Sequence, residues 1–153
     1  MTKELEISRE QLIPLALLHA SGREVKGKTR LQKLAFLLDK EELGDDFNAY
    51  HFKKYDYGPF SKHLLQDTEK LEREGVVDID KSRTYSGNTR YDYELEEDWL
   101  EPVEELAEDE DISEIFEAAE ELVEKHKEKS IRDLVEYIYD EYSEYEENSV
   151  YEY

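Results

Sequence analysis

The apolar residues of the first third of the chain follow the period of an α-helix. Between Leu31 and Leu38, leucine recurs at positions 31, 34, 37 and 38, the spacing of one helical face. Two stretches open with the pattern of a capping box, Ser8 to Gln11 and Thr29 to Gln32. These patterns predict one helix over about residues 9–20 and a second from Thr29 to about Leu43, separated by a short basic loop.

An aromatic stretch and a sharp turn follow the second predicted helix. Residues 47–57, "FNAYHFKKYDY", contain few helix formers and predict an extended segment. Gly58 permits unusual backbone angles, and Pro59 suits the first turn of a helix. We therefore interpret the pair as a structural turn into a third helix, which buries Leu64, Thr68 and Leu71 with Phe60 and stops at Gly75.

Alternating residues then predict a β-hairpin. "VVDID" at 76–80 and "RYDYELE" at 90–96 flank a turn at Ser86-Gly87-Asn88. Three helices followed by a hairpin is the order of a winged helix-turn-helix. The fold class we predict is mostly α with a small β-hairpin, a winged helix-turn-helix over residues 1–97.

Residues 98–153 predict acidic carboxy-terminal helices that pack on this part within the same domain. The last of them begins at Ser130 and carries an apolar stripe of isoleucine, leucine, valine and tyrosine. Leu134, Ile138 and Tyr142 on this stripe are candidates for a dimer or partner contact. Packing of the same stripe on its own domain is the alternative.

Composition narrows the compartment and the chemistry. A chain of 153 residues suits one domain. Without cysteine it forms no disulfide, zinc-thiolate site or cysteine nucleophile. No amino-terminal signal pattern is present, and no apolar run reaches the roughly 18 residues that a membrane span needs. We expect a cytoplasmic protein without a membrane partner.

The negative charge is concentrated in the carboxy-terminal third. Residues 1–95 hold 18 acidic and 16 basic residues, whereas residues 96–153 hold 24 acidic and 4 basic ones, within a net charge of −22. One interpretation is halophilic adaptation, as in a haloarchaeal cytoplasm, where acidic surfaces stay hydrated and repulsion is screened. The other is an acidic end that occupies or imitates an anionic partner.

Three stretches together resemble a known group of small proteins. They are "KTRLQKLAFLLDKE", "FKKYDYGPFSKHLLQDTEKLEREGVV" and "LVEYIYDEYSEYEENS". The resemblance runs from about residue 24 to residue 149, which is most of the chain. The chain resembles the YwgA-like proteins and, more distantly, the Panacea-domain (SocA-like) antitoxins. The resemblance implies a mostly helical, winged-helix-like domain without known enzymatic activity. For the antitoxin branch it implies neutralisation of a toxin by direct protein contact.

The chain offers little that could carry catalysis. It contains no phosphate-binding glycine loop, no nucleophile elbow and no histidine pair at metal-ligand spacing. The four histidines are scattered, and carboxylates are too numerous for any pair to indicate an acid–base couple. We predict no catalytic residue, no metal site and no cofactor.

Basic residues cluster on the elements that a winged helix presents to DNA. No acid occurs from Lys81 to Tyr91, and the third helix would offer base-reading side chains while the hairpin presses the backbone. The candidate contact residues are Lys28, Arg30, Lys33, Ser61, Lys62, His63, Gln66, Lys81, Arg83, Tyr85 and Arg90. Alternatively, the helix cations only pair with neighbouring glutamates, and the tyrosines only pack across strands.

Two functions fit these patterns, and an enzyme fits least. The first is a non-catalytic winged-helix regulator of transcription, adapted to high salt, which binds double-stranded DNA as a homodimer. The alternative is an antitoxin-like module that binds a partner protein directly. The gathering of the basic residues on one exposed face would favour the first.

Overall fold

Six α-helices and two small antiparallel sheets make up the described part of the chain. The computed structural model describes residues 11–43, 53–55, 58–83, 87, 89–110 and 112–143. The helices are α1 (Leu12–Ala20), α2 (Lys28–Leu37), α3 (Lys62–Arg73), α4 (Leu100–Glu108), α5 (Ser113–His126) and α6 (Ile131–Glu141). The strands are β1 (Glu24–Lys26), β2 (Lys53–Tyr55), β3 (Gly58–Phe60), β4 (Val77–Arg83) and β5 (Thr89–Leu95). The predicted mostly helical class is confirmed.

The larger sheet has three strands in the order β1-β5-β4, all antiparallel. Tyr93 in the central strand pairs with Val25 on one side and Ile79 on the other. All three side chains are buried, because residues directly opposite each other on neighbouring strands project from the same face of the sheet. The predicted hairpin is therefore present, but β1 was missed, since its three residues lie in the stretch interpreted as a basic loop.

The Gly-Pro pair does not start α3. Gly58 and Pro59 lie in β3, which pairs with β2, so the predicted helix start is wrong. The helix begins at Lys62, and the Ser61 hydroxyl caps it by accepting a hydrogen bond from the backbone N–H of Leu64 at 3.2 Å. Pro59 suits its position because a short two-stranded sheet demands few backbone donors.

The amino end of α2 also differs from the prediction. Its N-cap is Gly27, whose φ of +100° is open to glycine and strained for other residues. The predicted capping box at Thr29 is wrong, because Gln32 is buried and bonds elsewhere. A π-helical turn, Leu38–Leu43, continues α2, while the predicted caps at Ser8 and Gly44 lie outside the described residues.

The carboxy-terminal helices pack on the amino-terminal ones. α5 lies against α1 and the π-helical turn, and α6 lies against α2. The 3₁₀ turn Glu97–Trp99 leads into α4 and places Trp99 in the core. Within the described ranges, no helix combines the length and the apolar character that crossing a membrane would require.

The stripe proposed as a dimer contact faces this core. Leu134 and Ile138 are fully buried, and the ring of Tyr142 packs edge-on against Phe36 of α2 with centroids 5.2 Å apart. The expectation of a dimer or partner contact is wrong for Leu134 and Ile138, whereas Tyr142 is only half-buried and stays a predicted contact residue. Leu134 and Ile138 attach α6 to its own domain.

Candidate functional site

The outer half of the β4–β5 hairpin continues the buried face of the sheet with basic side chains. Ile79 and Tyr93 are buried on that face, and Lys81 and Tyr91 are their next neighbours on it. The ammonium nitrogen of Lys81 lies 5.8 Å from the centroid of the Tyr91 ring. Arg83 follows Lys81 on the same face and is exposed.

A second lysine reaches the same ring from α2. The Nζ atom of Lys28 lies 5.0 Å from the Tyr91 centroid and 6.0 Å from that of Phe60. Both distances are within the range of cation–π attraction. Lys28 therefore connects the first turn of α2 with the hairpin and with the end of β3, immediately before α3 begins.

A pocket of about 520 Å³ opens beside Tyr91. Strand β1 stops at Lys26 opposite Asp92, whereas β5 extends to Thr89, so this edge of β5 is left open next to α2. Four cationic side chains line the pocket, namely Lys26, Lys28, Arg30 and Arg90. Among the described residues no acidic side chain lines it, in a chain of net charge −22.

The amino end of α2 opens into this pocket without the usual compensation. Gly27 has no side chain to cap the helix, and its first turn contains no acidic residue. The first backbone N–H groups of a helix have no intrahelical acceptor and carry a partial positive charge. Here Lys28 and Arg30 add two full positive charges to that end.

Arg30 ties the pocket to the carboxy-terminal helices. Its Nη2 atom donates to the backbone carbonyl of Lys129, between α5 and α6, at 3.0 Å. Partial burial lowers the pKa of Arg30, although an arginine remains charged at any physiological pH. Ile131, the first residue of α6, also lines the pocket. The pocket is therefore built from the amino-terminal part of the chain and from the carboxy-terminal helices.

Carboxylates neutralise only part of this basic surface. Arg90 donates from Nε to Asp92 at 2.9 Å, and Lys26 lies 3.8 Å from Glu24. Both acids lie at strand positions whose side chains point away from the buried face. Within the described ranges, no carboxylate pairs with the cations Lys28, Arg30, Lys81 and Arg83.

The exposed side of α3 carries a further row of polar side chains. Lys62, Gln66 and Arg73 recur at helical spacing opposite the buried Leu64 and Leu71. His63, also exposed, lies 3.8 Å from the carboxylate of Asp67 on the same helix. The predicted base-reading residues Lys62, His63 and Gln66 are therefore accessible.

Two predicted contact residues are inside the protein instead. Lys33 is 2% exposed, and its ammonium donates to the carbonyl of Pro59 at 2.9 Å. Burial lowers the pKa of Lys33 to about 7. Ser61 is also buried, so both predictions of partner contact are wrong, and Tyr85 lies outside the described residues.

Gln32 explains why Ser61 is buried. Its side-chain amide donates to the Ser61 carbonyl at 2.9 Å, and its oxygen accepts from the Ser61 N–H at 2.8 Å. Together with Lys33, it fixes the end of β3 to α2. We name Gln32, Lys33 and Ser61 the Lys33 cluster.

A second buried polar group joins the π-helical turn to α5 and α6. The Nε2 atom of His126 lies 3.1 Å from Glu41, and Tyr137 donates its hydroxyl to the other oxygen of the same carboxylate. Lys125 approaches Glu41 at 3.7 Å from the more exposed side. We name Glu41, His126 and Tyr137 the His126 cluster, which no pattern in the sequence indicated.

The titration of the His126 cluster follows from its contacts. Burial lowers the pKa of His126, and its bond to Glu41 offsets this only in part. Burial by itself would raise the pKa of Glu41, but the bonds from Tyr137 and His126 outweigh it and lower that pKa. A neutral His126 beside an ionised Glu41 is the expected state near neutral pH.

Neither a protein-family model nor a curated protein matches this chain. A functional proposal therefore depends on geometry and charge. The candidate binding surface consists of Lys28, Lys81, Arg83 and Tyr91, together with the exposed side of α3 and the pocket beside Tyr91.

Proposed function

We propose that this chain is a non-catalytic, winged-helix-type protein that binds double-stranded DNA. The order α1, β1, α2, α3, β4, β5, with the small β2–β3 sheet added between α2 and α3, and a sheet order of β1-β5-β4 support this assignment. In such a fold the third helix approaches the major groove, while the hairpin lies along the backbone.

The observation that carries the proposal is the gathering of cations around Tyr91. Lys28 comes from α2 and Lys81 from β4, and both approach one aromatic ring within 6 Å. A chain with 42 acidic and 20 basic residues would scatter its cations among carboxylates if no partner selected otherwise. Phosphate oxygens are the anions that such a surface binds on nucleic acid.

The exposed side of α3 supplies groups that can read bases. Lysine donates to guanine, and glutamine forms two bonds with adenine in the major groove. Lys62 and Gln66 lie one helical turn apart on the exposed face. We therefore assign sequence preference to α3 and sequence-independent affinity to the hairpin and Lys28.

Direct titration with duplex DNA tests this division of roles. Fluorescence anisotropy with a labelled pool of random 30-base-pair duplexes measures the DNA affinity of the protein. Selection of the bound duplexes from the same pool then measures its sequence preference. The double substitution Lys81→Glu with Arg83→Glu should weaken binding of all duplexes at least tenfold, because two phosphate contacts become repulsive. The slope of log affinity against log salt should fall by about 2.

A matched control separates local from general electrostatics. Lys127→Glu with Arg132→Glu makes the same charge change on an exposed lysine and an exposed arginine of the carboxy-terminal part and should leave DNA affinity within twofold. Equal loss in both variants would mean that only net charge matters. If the wild-type protein binds no duplex, the proposal fails, and the antitoxin-like contact with a partner protein becomes the better explanation.

A further inference from the structure

We propose that the pocket at the amino end of α2 is a binding site for a phosphate group. Lys26 of β1, Lys28 and Arg30 of α2, and Arg90 of β5 line one cavity beside Tyr91. Lys26 and Arg90 also contact Glu24 and Asp92, whereas Lys28 and Arg30 are paired with no carboxylate within the described ranges. The pocket shares Lys28 with the DNA-binding surface proposed above, but it does not depend on that proposal.

The cations of the pocket come from three separate elements, which distinguishes it from a chance run of lysines. Arg30 has one nitrogen held by the Lys129 carbonyl, so the guanidinium is oriented before any ligand arrives. Its remaining N–H groups are still available, since arginine has five donors. Oriented arginine is the side chain best suited to phosphate.

The electrostatics at this end of α2 favour a bound anion. Positive side chains at the amino end of a helix oppose its dipole, and Gly27 provides no oxygen to the free N–H groups. Placing Lys28 and Arg30 there costs stability unless an anion occupies the pocket. A phosphate oxygen would satisfy the backbone N–H groups and the cations together.

The size and the walls of the pocket indicate more than a bare ion. A volume of about 520 Å³ is in the range of small-molecule sites. Tyr91 and Ile131 add apolar groups to the lining. The shared chemistry is a phosphate group on a larger body, which is either a small phosphate ester or the nucleic-acid backbone.

Thermal unfolding at constant ionic strength tests the site with inorganic phosphate as the probe. Potassium phosphate replaces potassium chloride stepwise, and the melting temperature is recorded for three proteins. These are the wild type, the double variant Lys28→Gln with Arg90→Gln, and the control Lys127→Gln. The wild type and the control should show a saturating rise, and the double variant should need at least tenfold more phosphate.

Folding of the double variant is checked in the same data. Without phosphate it should melt close to the wild type, because the loss of the Lys28–Tyr91 and Arg90–Asp92 contacts is offset by reduced repulsion at the helix end. Phosphate also stabilises proteins in general by exclusion from their surface. An identical, non-saturating rise in all three proteins would reveal only that general effect and would overturn the proposal.

Competition then distinguishes the two sources of phosphate. Displacement of labelled duplex by saturating phosphate would identify the backbone as the ligand, whereas undisturbed duplex binding would identify a small phosphate ester. The variant Lys81→Glu with Arg83→Glu should keep the phosphate response. A wild-type protein that binds no duplex but shows the saturating phosphate response would contradict the DNA proposal alone.

Discussion

The Lys33 and His126 clusters both place polar side chains inside the protein, where each needs a hydrogen-bond partner. They provide those partners in different ways. In the first, Gln32 and Lys33 bond to backbone groups of Ser61 and Pro59. In the second, the side chains of His126 and Tyr137 bond to the carboxylate of Glu41. Both join segments that are far apart in sequence.

The difference lies in what balances the charge. Within the described ranges, no carboxylate pairs with Lys33, so burial acts alone and lowers its pKa to about 7. In the His126 cluster the hydrogen bonds keep Glu41 ionised and leave His126 neutral. A buried cation bonded only to carbonyl groups loses much of its charge, whereas a buried carboxylate with two donors retains it.

The largest effect is expected from removing the clamp in the Lys33 cluster. Gln32→Leu leaves the N–H of buried Ser61 without a partner and its carbonyl with only the bond from the Leu65 N–H at 3.3 Å. The cost is up to about 4 kcal/mol, roughly 1–3 kcal/mol for the unpaired N–H and about 1 kcal/mol for the lost bond to the carbonyl. Chemical denaturation measures the loss, with Gln66→Leu on the exposed side of α3 as the control, expected within about 0.5 kcal/mol. A loss below about 1 kcal/mol would show that water replaces Gln32.

The next effect is the pH dependence that Lys33 introduces. Its pKa is about 7 when folded and 10.5 in the ordinary state. Between these values the unfolded chain binds more protons, so the free energy of unfolding rises with pH. For a shift of this size the rise is about 3 kcal/mol from about pH 7 to about pH 9.5.

Lys33→Met isolates that contribution. The variant loses the bond to Pro59 but should show a flatter dependence of stability on pH than the wild type. Lys127→Met, which removes an exposed lysine, should keep the wild-type slope. Parallel curves for the wild type and Lys33→Met would mean that Lys33 stays charged, and the contrast between the two clusters would disappear.

The smallest effect is expected in the His126 cluster. Tyr137→Phe removes one donor from Glu41, but His126 and Lys125 remain, so the cost near neutral pH is about 1 kcal/mol. The lowered pKa of Glu41 means that its contribution is lost as pH falls through that pKa. The substitution raises this pKa and should move acid unfolding to higher pH.

Acid titration by circular dichroism measures this shift, and Tyr91→Phe is a suitable comparison because that hydroxyl lies outside the cluster. An unchanged acid midpoint in Tyr137→Phe would contradict the assigned role. It would imply that His126 alone determines the state of Glu41.

Much of the candidate surface could be predicted from local sequence. The run from Lys81 to Tyr91 without an acid predicted a basic hairpin, and Lys81, Arg83 and Arg90 are exposed there. The pairing of Lys28 with Tyr91 could not be predicted, since it depends on how α2 meets β5. The basic loop that contains Lys26 was recognised in the sequence. Its folding into strand β1 beside the pocket was not predicted.

Burial was the main source of error in the predicted site. From the sequence, Lys33 in a helix and Ser61 next to a turn both resemble surface residues. Nothing in the local sequence shows that Pro59 lies opposite Lys33, or that Gln32 lies opposite Ser61. Leu134 and Ile138 were identified correctly as an apolar stripe, but what covers a stripe is decided by the neighbouring helices.

The sequence by itself determined which segments are helical and which form the hairpin, because apolar spacing of 3.6 or 2 residues is a local property. Tertiary structure alone decided the third strand, the pocket and both polar clusters. Their bonds join residues 29 and 85 positions apart, and a buried polar group is stable only where packing brings it a partner.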